Sequence, residues 1–217
     1  MSNLRVVPEE SILESIVNPK LDDVAKELLE LGIDEITNNE LIKKLPIIDL
    51  LSAGYKSIIA MNNYLFFKKV VHFLFQQTKI TPKERKKWLL KITKEGTRKK
   101  IGKITLELID KIISTKKADI LGIIFREHIK GNVTTEEYVT IGEMIESAYL
   151  SDLDYFISHK EGDIGELGDE VNHLLSIGFY FRGAYQFGNT IMPKMKPEHS
   201  TLGKIIFKIL IDNENNY

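Results

Sequence analysis

Leu45–Phe75 is the most apolar stretch of the chain and constrains its fold more than any other segment. A membrane-spanning helix needs ~20 consecutive residues without charge. Four charged residues interrupt this stretch: Asp49, Lys56, Lys68 and Lys69. Its apolar residues recur at helical spacing and are separated by polar ones, which favours two buried helices packed together. A helix lying on a membrane surface is the alternative interpretation.

Helix start and stop signals follow this stretch. Thr81-Pro82-Lys83-Glu84 combines a capping box with proline at the first helical position, and Gly131 ends a later apolar periodicity. The connections between predicted helices are only a few residues long, so neighbouring helices should pack antiparallel. We expect eight residues to be mostly buried in the core: Leu50, Ile58, Phe66, Phe73, Trp88, Leu108, Ile124 and Tyr138.

Composition excludes several classes of protein. The hydrophobic fraction of 43% over 217 residues is that of an ordinary globular chain. The absence of cysteine excludes disulfides, thiolate catalysis and cysteine-ligated metals. The first residues show no basic segment followed by an apolar one, so we expect no signal peptide and a cytoplasmic protein.

The sequence predicts an all-α protein, a multi-helix bundle with a small C-terminal module that carries a minor β-hairpin. We divide it into an acidic helical arm (residues 1–44), a central helical domain (45–150) and the C-terminal module (151–217). In that module aromatic residues alternate with others, which predicts a half-buried strand: Phe179, Phe181, Tyr185 and Phe187. Gly188-Asn189 predicts the turn that follows.

A helix end, a variable segment and a helix start follow one another near the C-terminus. They are Leu175-Ser176-Ile177-Gly178-Phe179, then Arg182–His199, then Ser200-Thr201-Leu202-Gly203. In this order they resemble the second half of a winged-helix module, over about a fifth of the chain. The sequence departs from the winged-helix pattern at Ser200, where the family usually has Leu, and in the two prolines of the wing, Pro193 and Pro197.

The winged-helix resemblance implies a helix that enters a DNA groove with basic or amide side chains. The equivalent stretch, Glu166–Leu175, contains three carboxylates and neither Lys nor Arg. A phosphate backbone would repel such a face, so we expect a degenerate winged helix used for protein contacts. The acidic face consists of Asp163, Glu166, Asp169 and Glu170.

A second resemblance concerns residues 45–153. Its segments are Leu45-Pro46-Ile47-Ile48, Leu65–Leu74, Gly131–Tyr138 and Leu150–Asp154. Together they resemble uncharacterised helical proteins of bacteria and prophages, which often lie near phage-defence genes. The resemblance implies a biological context and no particular activity.

No group of residues predicts an enzyme. The five histidines are scattered without metal-ligand spacing, and no phosphate-binding glycine fingerprint occurs. The turn at Gly131–Glu137 lacks the upstream carboxylates of a calcium loop. We therefore predict no catalytic residue, no metal and no cofactor.

Charge is distributed unevenly along the chain. Residues 79–103 hold eleven Lys or Arg against two Glu, although the whole chain has a net charge of -1. Such a block can contact phosphates, or it can be a solvated face that meets an acidic surface. Its candidate anion-binding residues are Lys83, Arg85, Lys86, Lys87, Lys91, Arg98, Lys99, Lys100 and Lys103.

These features favour a non-enzymatic interaction protein of bacterial or phage origin, in phage defence or its evasion. We expect a protein partner or a homo-oligomer. A nucleic-acid-binding regulator using residues 79–103 is the first alternative. A membrane-associating effector using residues 45–75 is the second.

Overall fold

The computed structural model describes residues 8–30, 40, 44–55, 60–92, 95–165, 168–187, 190–194 and 196–214. Within these ranges it contains eleven helices and two small antiparallel sheets of two strands each. The predicted all-α class with a minor β-hairpin is therefore confirmed. Contacts divide the chain into two compact units, Met1–Thr135 and Glu136–Tyr217.

The first unit is built from seven helices in its described residues. They are α1 (Pro8–Val17), α2 (Leu21–Glu30), α3 (Pro46–Tyr55), α4 (Ala60–Gln77), α5 (Pro82–Lys91), α6 (Glu95–Lys111) and α7 (Thr115–Lys130). The predicted capping box is present at the start of α5, and Gly131 ends α7 in the left-handed conformation with φ 88°.

The centre of the first unit is the contact between α4 and α7. A Cβ at Gly122 would lie 2.9 Å from Gln76 Cβ and from the Phe73 carbonyl oxygen, so glycine allows the two backbones to approach. Beside this contact, Phe125 packs against Phe73 at 5.2 Å and Trp88 at 5.4 Å between ring centroids. Rings packed edge to face in this way bury a large apolar area.

The apolar stretch that dominates the sequence contributes to this core. Ile47, Phe67, Val70 and Phe73 are all buried, as expected for two packed helices. This burial is what two packed helices require, as far as their side chains are described, and membrane association through residues 45–75 stays a prediction. No helix in the described ranges is long and apolar enough to cross a bilayer.

The N-terminal helices belong to the same compact unit. α1 packs against α3 and α6, and α2 packs against α4. Their apolar residues Ile12, Ile16, Leu21 and Leu28 are fully buried, which is why these helices are not a separate arm. The contacts therefore divide the chain after Thr135, whereas the sequence suggested divisions at residues 44 and 150.

Five of the eight predicted core residues are buried: Phe73, Trp88, Leu108, Ile124 and Tyr138. Leu50 and Phe66 are only half-buried, and Ile58 lies outside the described residues. The Lys69 ammonium group lies 5.7 Å from the Phe66 ring centroid. That ammonium donates hydrogen bonds to the carbonyl oxygens of Asp110 and Ile112, at the end of α6.

In its described residues the second unit contains four helices and four short strands. They are α8 (Thr135–Ser147), α9 (Leu150–Ser158), α10 (Asp169–Ser176), β1 (Tyr180–Phe181), β2 (Ala184–Phe187), β3 (Thr190–Pro193), β4 (Glu198–His199) and α11 (Thr201–Glu214). β1 pairs with β4 and β2 pairs with β3, both antiparallel. A hydrogen bond from Lys194 N–H to the Gly183 carbonyl joins the two pairs into one ribbon.

Aromatic residues anchor the base of this ribbon. Tyr180 and His199 face each other in the β1–β4 register and stack at 5.3 Å, and Phe156 and Phe207 pack against them. A Cβ at Gly203 would lie 2.1 Å from the Phe179 carbonyl oxygen, so α11 begins in direct contact with the chain that enters β1.

The prediction of a half-buried strand holds only for the base of the ribbon. Phe179 and Tyr180 are buried, whereas Phe181 is exposed because side chains alternate along β1. Phe187 in β2 is also exposed, since β2 and β3 extend beyond the aromatic base. The predicted turn at Gly188-Asn189 lies outside the described residues.

Replacing Gly102 by Ala should strongly destabilise the first unit. A Cβ there would lie 1.9 Å from the Glu9 carbonyl oxygen, so α1 and α6 would have to separate. Overpacking of this kind costs ~1–3 kcal/mol. The control is Gly96→Ala, also on α6, where nothing lies within 4 Å and alanine should stabilise by up to ~1 kcal/mol. Urea unfolding measures both, and equal effects would contradict this packing.

His199 should make the second unit sensitive to acid. Burial lowers the pKa of His199 below its usual 6.5; nearby Glu161 opposes this effect and Lys204 adds to it. The unfolded chain therefore binds a proton near pH 6.5 while the native state does not. The free energy of unfolding should fall as pH decreases below about 6.5, then level off below the native pKa. His199→Phe should reduce this slope in urea unfolding, and an unchanged slope would contradict the assignment.

Candidate functional site

Helix α5 carries most of the predicted basic site, and its first turn is well defined. Thr81 N–H and Oγ1 both donate to Glu84 Oε2, at 2.9 and 2.7 Å, and Glu84 N–H donates to Thr81 Oγ1 at 3.3 Å. These hydrogen bonds from Thr81 lower the pKa of Glu84. On the inner side Trp88 is buried against Phe125 and His128. The register of the helix is therefore set by its cap and its tryptophan.

Four of the predicted residues on α5 point outward. We call Lys83, Lys86, Lys87 and Lys91 the lysine face. They recur at three- and four-residue intervals, which places them along one side of the helix. None of these four ammonium groups forms an ion pair with another residue in the described ranges.

Arg85, in contrast, is not part of any surface. Its side chain is 0% exposed, and its guanidinium makes a bidentate pair with Asp22, Nη1 to Oδ1 at 2.8 Å and Nη2 to Oδ2 at 3.1 Å. Nη1 also donates to the Gln77 carbonyl oxygen at 3.0 Å. The prediction that Arg85 binds an external anion is therefore wrong, because its donors face α2 and the end of α4.

The second predicted arginine also bonds within the fold. Arg98 donates from Nε to the Ile92 carbonyl oxygen at 2.9 Å and from Nη2 to that of Leu89 at 3.1 Å. These carbonyls belong to the last turn of α5 and its cap, where the helix leaves acceptors without intrahelical partners. Arg98 thus joins α6 to the end of α5.

The remaining predicted basic residues lie on α6. Lys100 is exposed, Lys99 Nζ lies 3.7 Å from Glu10 Oε1, and Lys103 Nζ lies 3.7 Å from Glu107 Oε1. Exposed pairs at this distance are weak and leave the lysines open to exchange with other anions. Both arginines of the block therefore stabilise the fold, and only lysines remain for an external partner.

The predicted acidic face lies in the second unit and is only partly described. Asp163 and Asp169 are exposed and Glu170 is half-buried, whereas Glu166 lies outside the described residues. Asp169 and Glu170 occupy the first turn of α10. Carboxylates at that position stabilise a helix through its dipole, which gives them a structural role beside any binding role.

Sequence analysis missed one polar cluster in the second unit. Buried Asp152 accepts hydrogen bonds from Tyr149 N–H at 2.7 Å and, through the same Oδ2, lies 2.6 Å from His173 Nδ1. The Tyr149 ring stacks on the imidazole at 4.6 Å. A carboxylate-oriented histidine is one part of acid–base sites. These contacts hold α10 against α9.

Among the described residues, no group of three His, Asp or Glu side chains is arranged to hold a metal ion.

Removing the carboxylate partner of the buried Arg85 should destabilise the protein far more than removing a neighbouring charge. Asp22→Asn leaves the Arg85 guanidinium buried without a counter-charge, which should cost roughly 3 kcal/mol. Asp23→Asn is the matched control, because Asp23 also lies in the first turn of α2 and is exposed. Its effect should stay within ~0.5 kcal/mol. Urea unfolding of both variants measures the difference, and similar losses would show that the pair is unimportant.

Compared with family models, curated proteins and solved structures, the chain matches none of them. The resemblances to winged-helix modules and to prophage helical proteins therefore stay predictions. A functional proposal has to rest on the geometry of the lysine face and of the two internal arginines.

Proposed function

We propose that this protein is a non-enzymatic interaction protein whose lysine face binds an acidic surface of a protein partner. The observation that carries this proposal is the separation of the basic residues on α5 and α6. The two arginines bond within the fold, and the lysines of α5 face the solvent.

The difference between lysine and arginine favours a protein partner. A guanidinium binds phosphate or carboxylate through two parallel hydrogen bonds, whereas an ammonium group is a compact, strongly hydrated point charge. A face made only of lysines attracts an acidic surface over several ångströms and adds little directional specificity. Such complementarity raises association rates and selects partners by charge.

Binding of nucleic acid is the second candidate, supported by the spacing of the lysines along α5. A ten-residue helix is ~15 Å long, so four lysines reach only a few phosphates. Affinity for duplex DNA should then fall with salt with a slope of about -0.9 per phosphate contacted. Near physiological salt we expect only the non-specific range, ~10⁻⁴–10⁻⁶ M.

A second copy of the chain is one acidic partner that the sequence itself supplies. Asp163, Asp169 and Glu170 belong to a stretch in which carboxylates outnumber basic residues. Contacts between that stretch and the lysine face of another copy would produce an oligomer that dissociates at high salt. Mass measured by light scattering at low and high salt separates this arrangement from a contact with a different protein.

The resemblance to prophage proteins indicates where a different partner should be sought. We propose capture of partners by the full chain from bacterial lysates, with and without phage infection. A partner captured only from infected cells would support a role in phage defence or its evasion.

Reversal of charge on the lysine face should abolish the interaction. The test variant changes Lys83, Lys86, Lys87 and Lys91 to Glu. The control variant makes the same change at four exposed lysines elsewhere, Lys26, Lys111, Lys160 and Lys208. Captured partners or self-association should disappear in the first variant and persist in the second.

Two outcomes would contradict the proposal. If both variants retain the partner, the lysine face does not form the contact. If the wild-type chain binds DNA or RNA below a micromolar dissociation constant near physiological salt, and the test variant loses that binding, the nucleic-acid regulator becomes the better assignment.

A further inference from the structure

The β2–β3 hairpin is the part of the second unit with the most exposed apolar surface among the described residues. Phe187 is 73% exposed and Ile191 is 76% exposed, and Met192 is also exposed. We call these three residues the hairpin tip. The base of the same ribbon is buried, since Tyr180 and His199 are both almost inaccessible to solvent.

The apolar residues of the tip point to both faces of the hairpin. Phe187 is opposite Thr190 in the register, and Gln186 is opposite Ile191. Because side chains alternate along a strand, Phe187 and Met192 share one face while Ile191 lies on the other. A flat protein surface would cover one of these faces and leave the other in water.

We propose that the hairpin tip inserts into the interfacial layer of an anionic lipid bilayer. A bilayer surrounds an inserted element on every side, so it removes both apolar faces from water without a shaped groove. This surface is separate from the lysine face, and the proposal does not depend on the protein partner.

Charge near the tip supports an anionic lipid surface. The ribbon region, residues 180–199, contains three basic side chains, Arg182, Lys194 and Lys196, and one acidic one, Glu198. Lys194 binds Glu198 through a hydrogen bond, and both side chains are at least partly exposed. Excess positive charge beside an apolar insertion is the pattern by which peripheral proteins recognise anionic headgroups.

The distance between the hairpin tip and the basic residues also fits insertion into a bilayer. Lys194 follows Ile191 by three residues, which corresponds to ~10 Å in an extended strand. Apolar elements of peripheral proteins insert ~5–10 Å into the boundary between headgroups and acyl chains. Lys194 and Arg182 would then lie at the level of the lipid phosphates while the tip reaches the acyl chains.

Nucleic acid fits the tip less well. A wing that enters a groove presents cationic or amide side chains to phosphates and bases, whereas the described residues at this end of the hairpin include Phe187 and Ile191. A second copy of the chain would bury the tip only by enclosing both of its faces.

The test is co-flotation of the full chain with phosphatidylcholine vesicles, with and without phosphatidylserine. Wild-type protein should float with the vesicles that contain phosphatidylserine and much less with the others. Phe187→Ser combined with Ile191→Ser should lower partitioning at least tenfold, given ~25 cal/mol per Å² of apolar area. Replacing Arg182 and Lys196 by Gln should lower the partitioning roughly fivefold per residue, and only on the vesicles that contain phosphatidylserine.

A matched control removes exposed apolar area elsewhere. Leu65 is 50% exposed and Ile113 is 80% exposed, and both lie in the first unit. Leu65→Ser combined with Ile113→Ser should float like the wild type. Circular dichroism of each variant checks that its helices are intact.

Tryptophan fluorescence tests the insertion directly, without relying on the loss of vesicle binding in a variant. Phe187→Trp should show a blue-shifted emission and quenching by brominated lipid on phosphatidylserine vesicles, whereas Ile113→Trp should show neither. The proposal is overturned if the wild type does not float with phosphatidylserine, or if the tip and control variants float equally. It is also overturned if the tip variant changes only the oligomeric mass or only DNA binding.

Discussion

The ion pair between the buried Arg85 and the partly exposed Asp22 is the interaction on which the arrangement of the first unit depends. It joins α2 to α5, while a third hydrogen bond to the Gln77 carbonyl attaches both to the end of α4. Burial of a guanidinium is unfavourable unless its donors are satisfied. Here two carboxylate oxygens and one carbonyl accept from Nη1 and Nη2, whereas the buried Nε has no hydrogen-bond partner among the described residues. This pair fixes which side of α5 faces inward, so the lysines at the remaining positions face solvent.

In the second unit, side-chain packing holds the β-ribbon at one end only. Stacked Tyr180 and His199 form the base with Phe156 and Phe207, and Ser200 N–H donates to the Phe179 carbonyl as α11 begins. These contacts end where β1 and β4 end. The distal strands then rely on their own cross-strand hydrogen bonds, and a two-stranded hairpin alone is only marginally stable. The exposed apolar tip is therefore a feature that folding does not explain.

Local signals in the sequence predicted local structure well. The Thr81–Glu84 capping box and the stop at Gly131 depend on residues a few positions apart, and both are present. The local excess of positive charge wrongly predicted an anion-binding role for Arg85, because its partner Asp22 is far away in the sequence. The inward position of Arg85 could have been predicted, because Arg85 precedes Trp88 by three residues and therefore lies on the same side of the helix. The Asp152–His173 contact between α9 and α10 had no comparable signal, because proximity in a fold is not encoded in spacing.

The two proposed surfaces depend on different physical effects, and this difference makes them separable. The lysine face acts through charge that is exposed to solvent, and ions screen such attraction within ~10 Å at 0.1 M salt. The hairpin tip acts through apolar area, and the energy of removing that area from water does not depend on charge. Raising salt should therefore release a partner held by the lysine face while membrane-bound protein loses only the part of its affinity contributed by Arg182 and its basic neighbours. A chain that uses both surfaces would respond to salt in two distinct steps.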